Sequence, residues 1–114
     1  MPGRTYESLF DQATAAAGSA TFYAKDAKTF TLAMIAAGNT PVAAYSVKLY
    51  ATSTTPDAAA YTYKSQGVAG AVQVFENVVD SNGVPFNFYK MVVEYSGLSA
   101  SSGTPTFSAS ITAI

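Results

Sequence analysis

Apolar and polar side chains alternate with a period of two in four stretches of the chain. Phe30, Leu32, Met34 and Ala36 are interleaved with Thr29, Thr31, Ala33 and Ile35, and Tyr45, Val47, Leu49 and Ala51 with Ser46, Lys48, Tyr50 and Thr52. Tyr89, Met91, Val93 and Tyr95 alternate with Lys90, Val92 and Glu94. In the stretch TPTFSASITAI, Phe107, Ala109, Ile111 and Ala113 alternate with Thr106, Ser108, Ser110 and Thr112. Alternation of this kind sends successive side chains to opposite faces of a strand, so each stretch predicts a strand with one buried face. Turn residues bound the runs on at least one side: Gly38-Asn39-Thr40-Pro41, Ser53-Thr54-Thr55-Pro56-Asp57, Gly97, and Gly103-Thr104-Pro105.

Weaker patterns predict strands over 19–24, ending at a polar Lys25-Asp26 turn, and over 71–75. Residues 84–88 read as extended, with Pro85 marking an edge or a strand start. Several short strands at this spacing predict an all-β protein, a single antiparallel β-sandwich or small barrel, over residues 19–114. Residues 1–18 form an N-terminal arm or first strand. Tyr6, Leu9, Phe10, Ala13 and Ala17 also fall at helical spacing, with Thr5 placed to cap and Gly18 to stop, so this segment fits a helix as well as an extended arm. Residues 52–70 read as one long connection carrying Tyr61 and Tyr63. These two rings either close one end of the sandwich or contact another subunit.

Composition narrows the environment. Charged residues are 11% of the chain, against roughly 25% in an ordinary soluble domain, and none occurs between Tyr95 and Ile114. Six basic and seven acidic side chains give a net charge of −1 with no basic run, which argues against nucleic acid as a partner. No window reaches the roughly 18 apolar residues of a membrane-spanning helix, so no membrane partner is expected. MPGRTYESLFDQ lacks the apolar run of a secretory signal. Low charge fits either a hydroxyl-rich surface or one covered by neighbouring subunits.

The chain has no His and no Cys, the side chains on which acid–base and nucleophilic catalysis most often rest. Glu7, Asp11, Asp26, Asp57, Glu76, Asp80 and Glu94 are scattered along it. Asp80-Ser81-Asn82-Gly83 resembles the start of a calcium loop but lacks the downstream acid, and reads as turn chemistry. Neither a zinc set nor a phosphate-cradling loop nor a Ser triad is present. We therefore expect no enzyme, no catalytic or metal-binding residues and no cofactor. Tyr23, Tyr50 and Tyr63 are candidates for a sugar-binding platform or, alternatively, for packing between subunits.

The run LFDQATAAAGSATFYAKDAKTFTLAMIAAGNTPVAAYSVKLYATSTTP (9–56) resembles a family of small β-sandwich virion proteins of tailed bacteriophages, capsid decoration proteins among them. AVQVFENVVDSNG resembles the strand and turn of that family's second half, and FYKMVVEYSG the strand before its last hairpin. The resemblance implies an Ig-like or jelly-roll-like sandwich whose first residues are extended and a structural role in the virion, assembled in the host cytoplasm. The implied partners are the major capsid protein or other virion subunits, with this chain present as a homo-oligomer or in many copies. Two other roles are open: a tail or fibre module binding host-surface glycans, and a pilin-like subunit whose precursor carries an export signal. Under the leading reading the candidate subunit contacts are Tyr6, Leu9, Phe10, Tyr61, Tyr63, Ser108, Ser110 and Thr112. The last strand then offers either its uncharged face or an unguarded edge to a neighbour.

Overall fold

The structure, a computed structural model, describes residues 5–50, 61–68, 70–79, 82–85 and 87–114. Eight strands follow one another: β1 (Thr5–Ala13), β2 (Gly18–Ala27), β3 (Thr29–Asn39), β4 (Val42–Tyr50), β5 (Tyr61–Val68), β6 (Ala71–Asn77), β7 (Phe88–Ser99) and β8 (Ser102–Ala113). They form two four-stranded antiparallel sheets, β1-β8-β3-β6 and β2-β7-β4-β5, here called sheets A and B. Every connection except β4–β5 passes from one sheet to the other. This is the strand order of an eight-stranded jelly roll, and it decides between the Ig-like and jelly-roll-like sandwiches that the resemblance implies.

The inner faces follow the sequence parity except at the start of β7, where a register shift against β2 buries Phe88 in place of Tyr89. Phe30, Leu32, Met34 and Ala36 of β3 and Phe107, Ala109, Ile111 and Ala113 of β8 are buried from sheet A. They meet Phe22, Tyr45, Val47, Leu49, Phe88, Met91, Val93 and Tyr95 from sheet B. Rings bridge the gap between sheets at two places. Tyr95 stacks on Phe107 at 4.3 Å, with Phe10 set edge-on to both at 4.8 and 5.8 Å. Phe30 meets Phe88 edge-on at 6.1 Å.

The corner between β1 and β2 is fastened to the same ring cluster. The Tyr95 hydroxyl donates to the Ala15 carbonyl at 2.9 Å and the Leu98 amide to that of Ala16 at 3.1 Å. Gly18 lies so close beneath Tyr95 that an added Cβ would sit 2.8 Å from its Cε1 atom.

Several expectations change. The helical spacing of Tyr6, Leu9, Phe10 and Ala13 belongs to strand β1, whose two register shifts against β8 imitate it. The shift between Ser8 and Phe10 moves the inward position by one residue, so that Phe10 faces the core beside Ala109. Within residues 52–70, Tyr61–Val68 is strand β5 paired along β4, not loop. The side chains of Tyr61 and Tyr63 and all of 51–60 lie outside the described residues, as does Asp80-Ser81. The Lys25-Asp26 dipeptide does not end β2; Asp26 takes a left-handed φ of 59° at a register shift and the strand runs on to Ala27. Gly97 likewise does not end β7 but, with φ 64°, lies in the register shift between the Val42–Ser99 and Ala44–Ser96 pairs.

The largest change concerns β8, which is an interior strand paired with β1 on one side and β3 on the other. It has no free edge along 107–113, so only its face is available. Pro105 is tolerated because it falls in the register shift against β3 and beyond the last β1 pair, Ala13 with Phe107.

Truncating Phe107 to Ala should cost about 3–5 kcal/mol in urea denaturation, since it removes the stack on Tyr95 and leaves a cavity. Gly18→Ala should cost about 1–3 kcal/mol by overpacking, with the near-ultraviolet tyrosine signal altered.

Candidate functional site

Residues paired across neighbouring strands share a face, so the register defines the outer surface of sheet A. One rung reads Tyr6, Thr112, Thr31, Phe75 from β1 to β6, and the next Ser8, Ser110, Ala33, Gln73. Ser108, Ile35 and Ala71 follow, and then Thr106 and Ala37. None of these side chains is ionic. Tyr6, Phe75 and Ile35 project from the surface, exposed by 66%, 63% and 50% respectively. Between Tyr6 and Ile35 the small side chains of Ser8, Ala33 and Ser110 leave a shallow groove of about 230 Å³, with Asp11 on its β1 rim.

The two edge strands of this sheet carry acids at inward-facing positions. Glu7 lies opposite Ile111, and Glu76 opposite Phe30. A charge aimed toward the core side of an edge discourages another strand from adding there.

The outer face of sheet B is different in kind. Its rungs are Ser19-Glu94-Ser46, Thr21-Val92-Lys48 and Tyr23-Lys90-Tyr50, each written in the order β2, β7, β4. Thus Glu94, Lys48 and Lys90 all stand on this side. A larger depression of about 430 Å³ lies at one end, lined by Ser19, Ser46 and Glu94 together with Gly18 and Tyr95. The Lys90 ammonium sits 4.1 Å from the centre of the Tyr50 ring and helps to bury it. Tyr50 therefore presents no ring to a sugar, contrary to its polar parity. Of the three candidate platform tyrosines only Tyr23 is seen to be exposed, on edge strand β2.

At the far end of β2 the left-handed Asp26 accepts hydrogen bonds from the Asn87 side-chain amide and the Tyr89 hydroxyl. The bond to Asp26 is the main reason the Tyr89 phenol is held above the ordinary tyrosine range, with burial and the Asp26 charge adding to it. This cluster ties a bulge in β2 to the start of β7 and, among the described residues, gathers no metal-binding group of acids. Among the described residues no group of three His, Cys, Asp or Glu side chains is placed to hold a metal ion.

The fold thus brings together only part of the predicted contact set. Tyr6, Ser108, Ser110 and Thr112 share the outer face of sheet A, while Leu9 and Phe10 pack toward the core at the β1 bulge. Phe75 and Ile35 are the large members of this face that the sequence reading missed. Their signal was present, since Ile35 occupies the polar parity of its strand, but it needed a partner strand to gain meaning.

No protein-family model and no curated protein sequence matches the chain. Among solved structures it is similar to that of infectious bursal disease virus, Gx strain, at 12% identity and a TM-score of 0.36. The similarity covers 96% of this chain and 32% of the other, so the chain spans about a third of that chain's length.

The Asp26 cluster yields a titration test. Replacing Asp26 with Asn should lower the Tyr89 pKa toward the ordinary tyrosine value, read by NMR of labelled tyrosine rings in alkaline solution. The sign follows from the raised folded-state pKa: the favourable contribution is complete below the unfolded tyrosine pKa and is lost as pH rises through the folded one.

Proposed function

We propose that this chain is a non-enzymatic structural protein of a virus particle, and more narrowly a capsid decoration or cement protein of a tailed bacteriophage. On this reading it takes its place in the virion during assembly in the host cytoplasm, bound in many copies to the major capsid protein or to other virion subunits. It needs no cofactor for that role.

The observation that carries the reading is the outer face of sheet A: four strands wide, backed by a buried apolar core, and without an ionic side chain in its paired rungs, Asp11 standing at its β1 rim. Such a face can be covered by a neighbour without stripping water from ions, which costs several kcal/mol per ion when pairing is poor. The resemblance of residues 9–56 to phage virion sandwiches points the same way. A cement protein requires a stiff body repeated over a lattice, where modest contacts add up to strong retention. The jelly roll itself hosts many roles and adds no weight of its own.

The test is co-sedimentation of the purified chain with phage heads that lack it. Saturable binding at a fixed number of copies per head is expected, with heads surviving heat or chelator better once loaded. Absence of binding, together with retention on a glycan panel, would replace this reading by that of a tail or fibre module.

A further inference from the structure

The uncharged face has a relief as well as a composition. Counting rungs along the strands, the first is tall at its two ends, Tyr6 and Phe75, and the second is low where Ala33 and Ser110 floor the groove. In the third, Ile35 stands up on β3, and the fourth is low again at Thr106 and Ala37. High and low therefore alternate along the face.

We infer that this face binds a second copy of the chain, face to face, about a two-fold axis that runs across the strands between the second and third rungs. Such an axis keeps each strand over its own counterpart and reverses the order of rungs. Ile35 of each copy then enters the partner's groove above Ala33. The tall first rung meets the low fourth rung, so that Tyr6 and Phe75 close over the ends of the partner's sheet beside Thr106 and Ala37. Ser108 and Ser110 exchange places across the axis, within reach of hydroxyl–hydroxyl contact. A single axis satisfies all four rungs twice, as an isologous contact requires.

Charge selects the same occupant. An uncharged face opposes its own copy without repulsion, and Asp11, the one ion lining the groove, stands on the β1 rim where water still reaches it. An acidic or basic partner would find nothing to pair with. Inward-facing Glu7 and Glu76 guard the two edges of this sheet, so association by strand addition is disfavoured and the face is left as the open route.

Area is sufficient but not generous. Four strands at about 4.8 Å spacing and nine residues at about 3.3 Å rise span a face of roughly 600 Å². Two such faces bury roughly 1,200 Å², the lower end for a specific, stable interface. The dimer is accordingly expected to be reversible.

The inference rests on the reading of this face as one that a neighbour covers, with a second copy of the chain as that neighbour, and its failure is distinguishable from failure of the virion role. Sedimentation equilibrium of the full-length chain from micromolar to millimolar concentration should show a monomer–dimer equilibrium. Ile35→Lys, and independently Ala33→Arg, should weaken dimerisation by about tenfold or more while the far-ultraviolet spectrum is unchanged. Val42→Lys, at an equally exposed apolar position on sheet B, should leave the dimer intact. A chain that stays monomeric throughout, or a dimer indifferent to both Ile35→Lys and Ala33→Arg, would overturn the inference. A monomer that still binds heads through Ile35 would assign the face to a capsid subunit instead, overturning the dimer and sparing the virion role. Head binding that fails in a chain that dimerises as described would do the reverse.

Discussion

Two four-stranded sheets have to fill the space between them, and in this chain aromatic rings reach across it. Tyr95 of sheet B stacks on Phe107 of sheet A, with Phe10 leaning on both, and Phe30 meets Phe88 at a second place. Much else is arranged around the first cluster. Gly18 is small because Tyr95 lies on it, the β1–β2 corner is anchored by the Tyr95 hydroxyl, and the bulge after Ser8 turns Phe10 inward. Because Phe10 is held there, β1 lies along β8 and sheet A is four strands wide.

That width has a functional consequence. With β1 in place, β8 is enclosed on both sides and its hydroxyl-bearing positions become the middle of a surface. The described ions of the sheet faces are partitioned unevenly: Lys48, Lys90 and Glu94 decorate sheet B, while the paired rungs of sheet A have none. Desolvation makes this partition meaningful, because burying a face that carries no ions avoids the largest cost of association. Of the acids on the edge strands of sheet A, Glu7 and Glu76 sit at inward positions where they protect the edges, and Asp11 stands on the β1 rim of a face that is otherwise apolar and hydroxylic. Contact through a face also preserves the sandwich, whereas contact through an edge would compete with its own hydrogen-bond ladder.

Much of the fold was legible before any coordinates. Inward positions on β3 and β8, on β4 and on β7 from Met91 onward follow from two-residue alternation, since burial on one side of a strand is a local demand; at the start of β7 Phe88 is buried and not Tyr89. Less legible was β5, where Lys64-Ser65-Gln66-Gly67 offers no inward run and the strand exists through its pairing with β4. The N-terminal segment was ambiguous because two bulges break its period. Tyr50 looked exposed by parity, yet Lys90 on the adjacent strand lies over its ring. In the contact set, Tyr6, Ser108, Ser110 and Thr112 could be named from their polarity, but Leu9 and Phe10 could not be sorted without the bulge.

The sequence by itself determined that the chain is all-β, which side chains of its regular strands turn inward, and that its C-terminal stretch presents hydroxyls and no ions. Each of these depends on a residue and its near neighbours. Only the tertiary structure decided the jelly-roll order, the interior place of β8, and the assembly of Tyr6, Ile35 and Phe75 from three strands into one face. Strand pairing is made by backbone groups that are nearly identical in every residue, so the choice of partner is settled by how the whole set of inner faces packs.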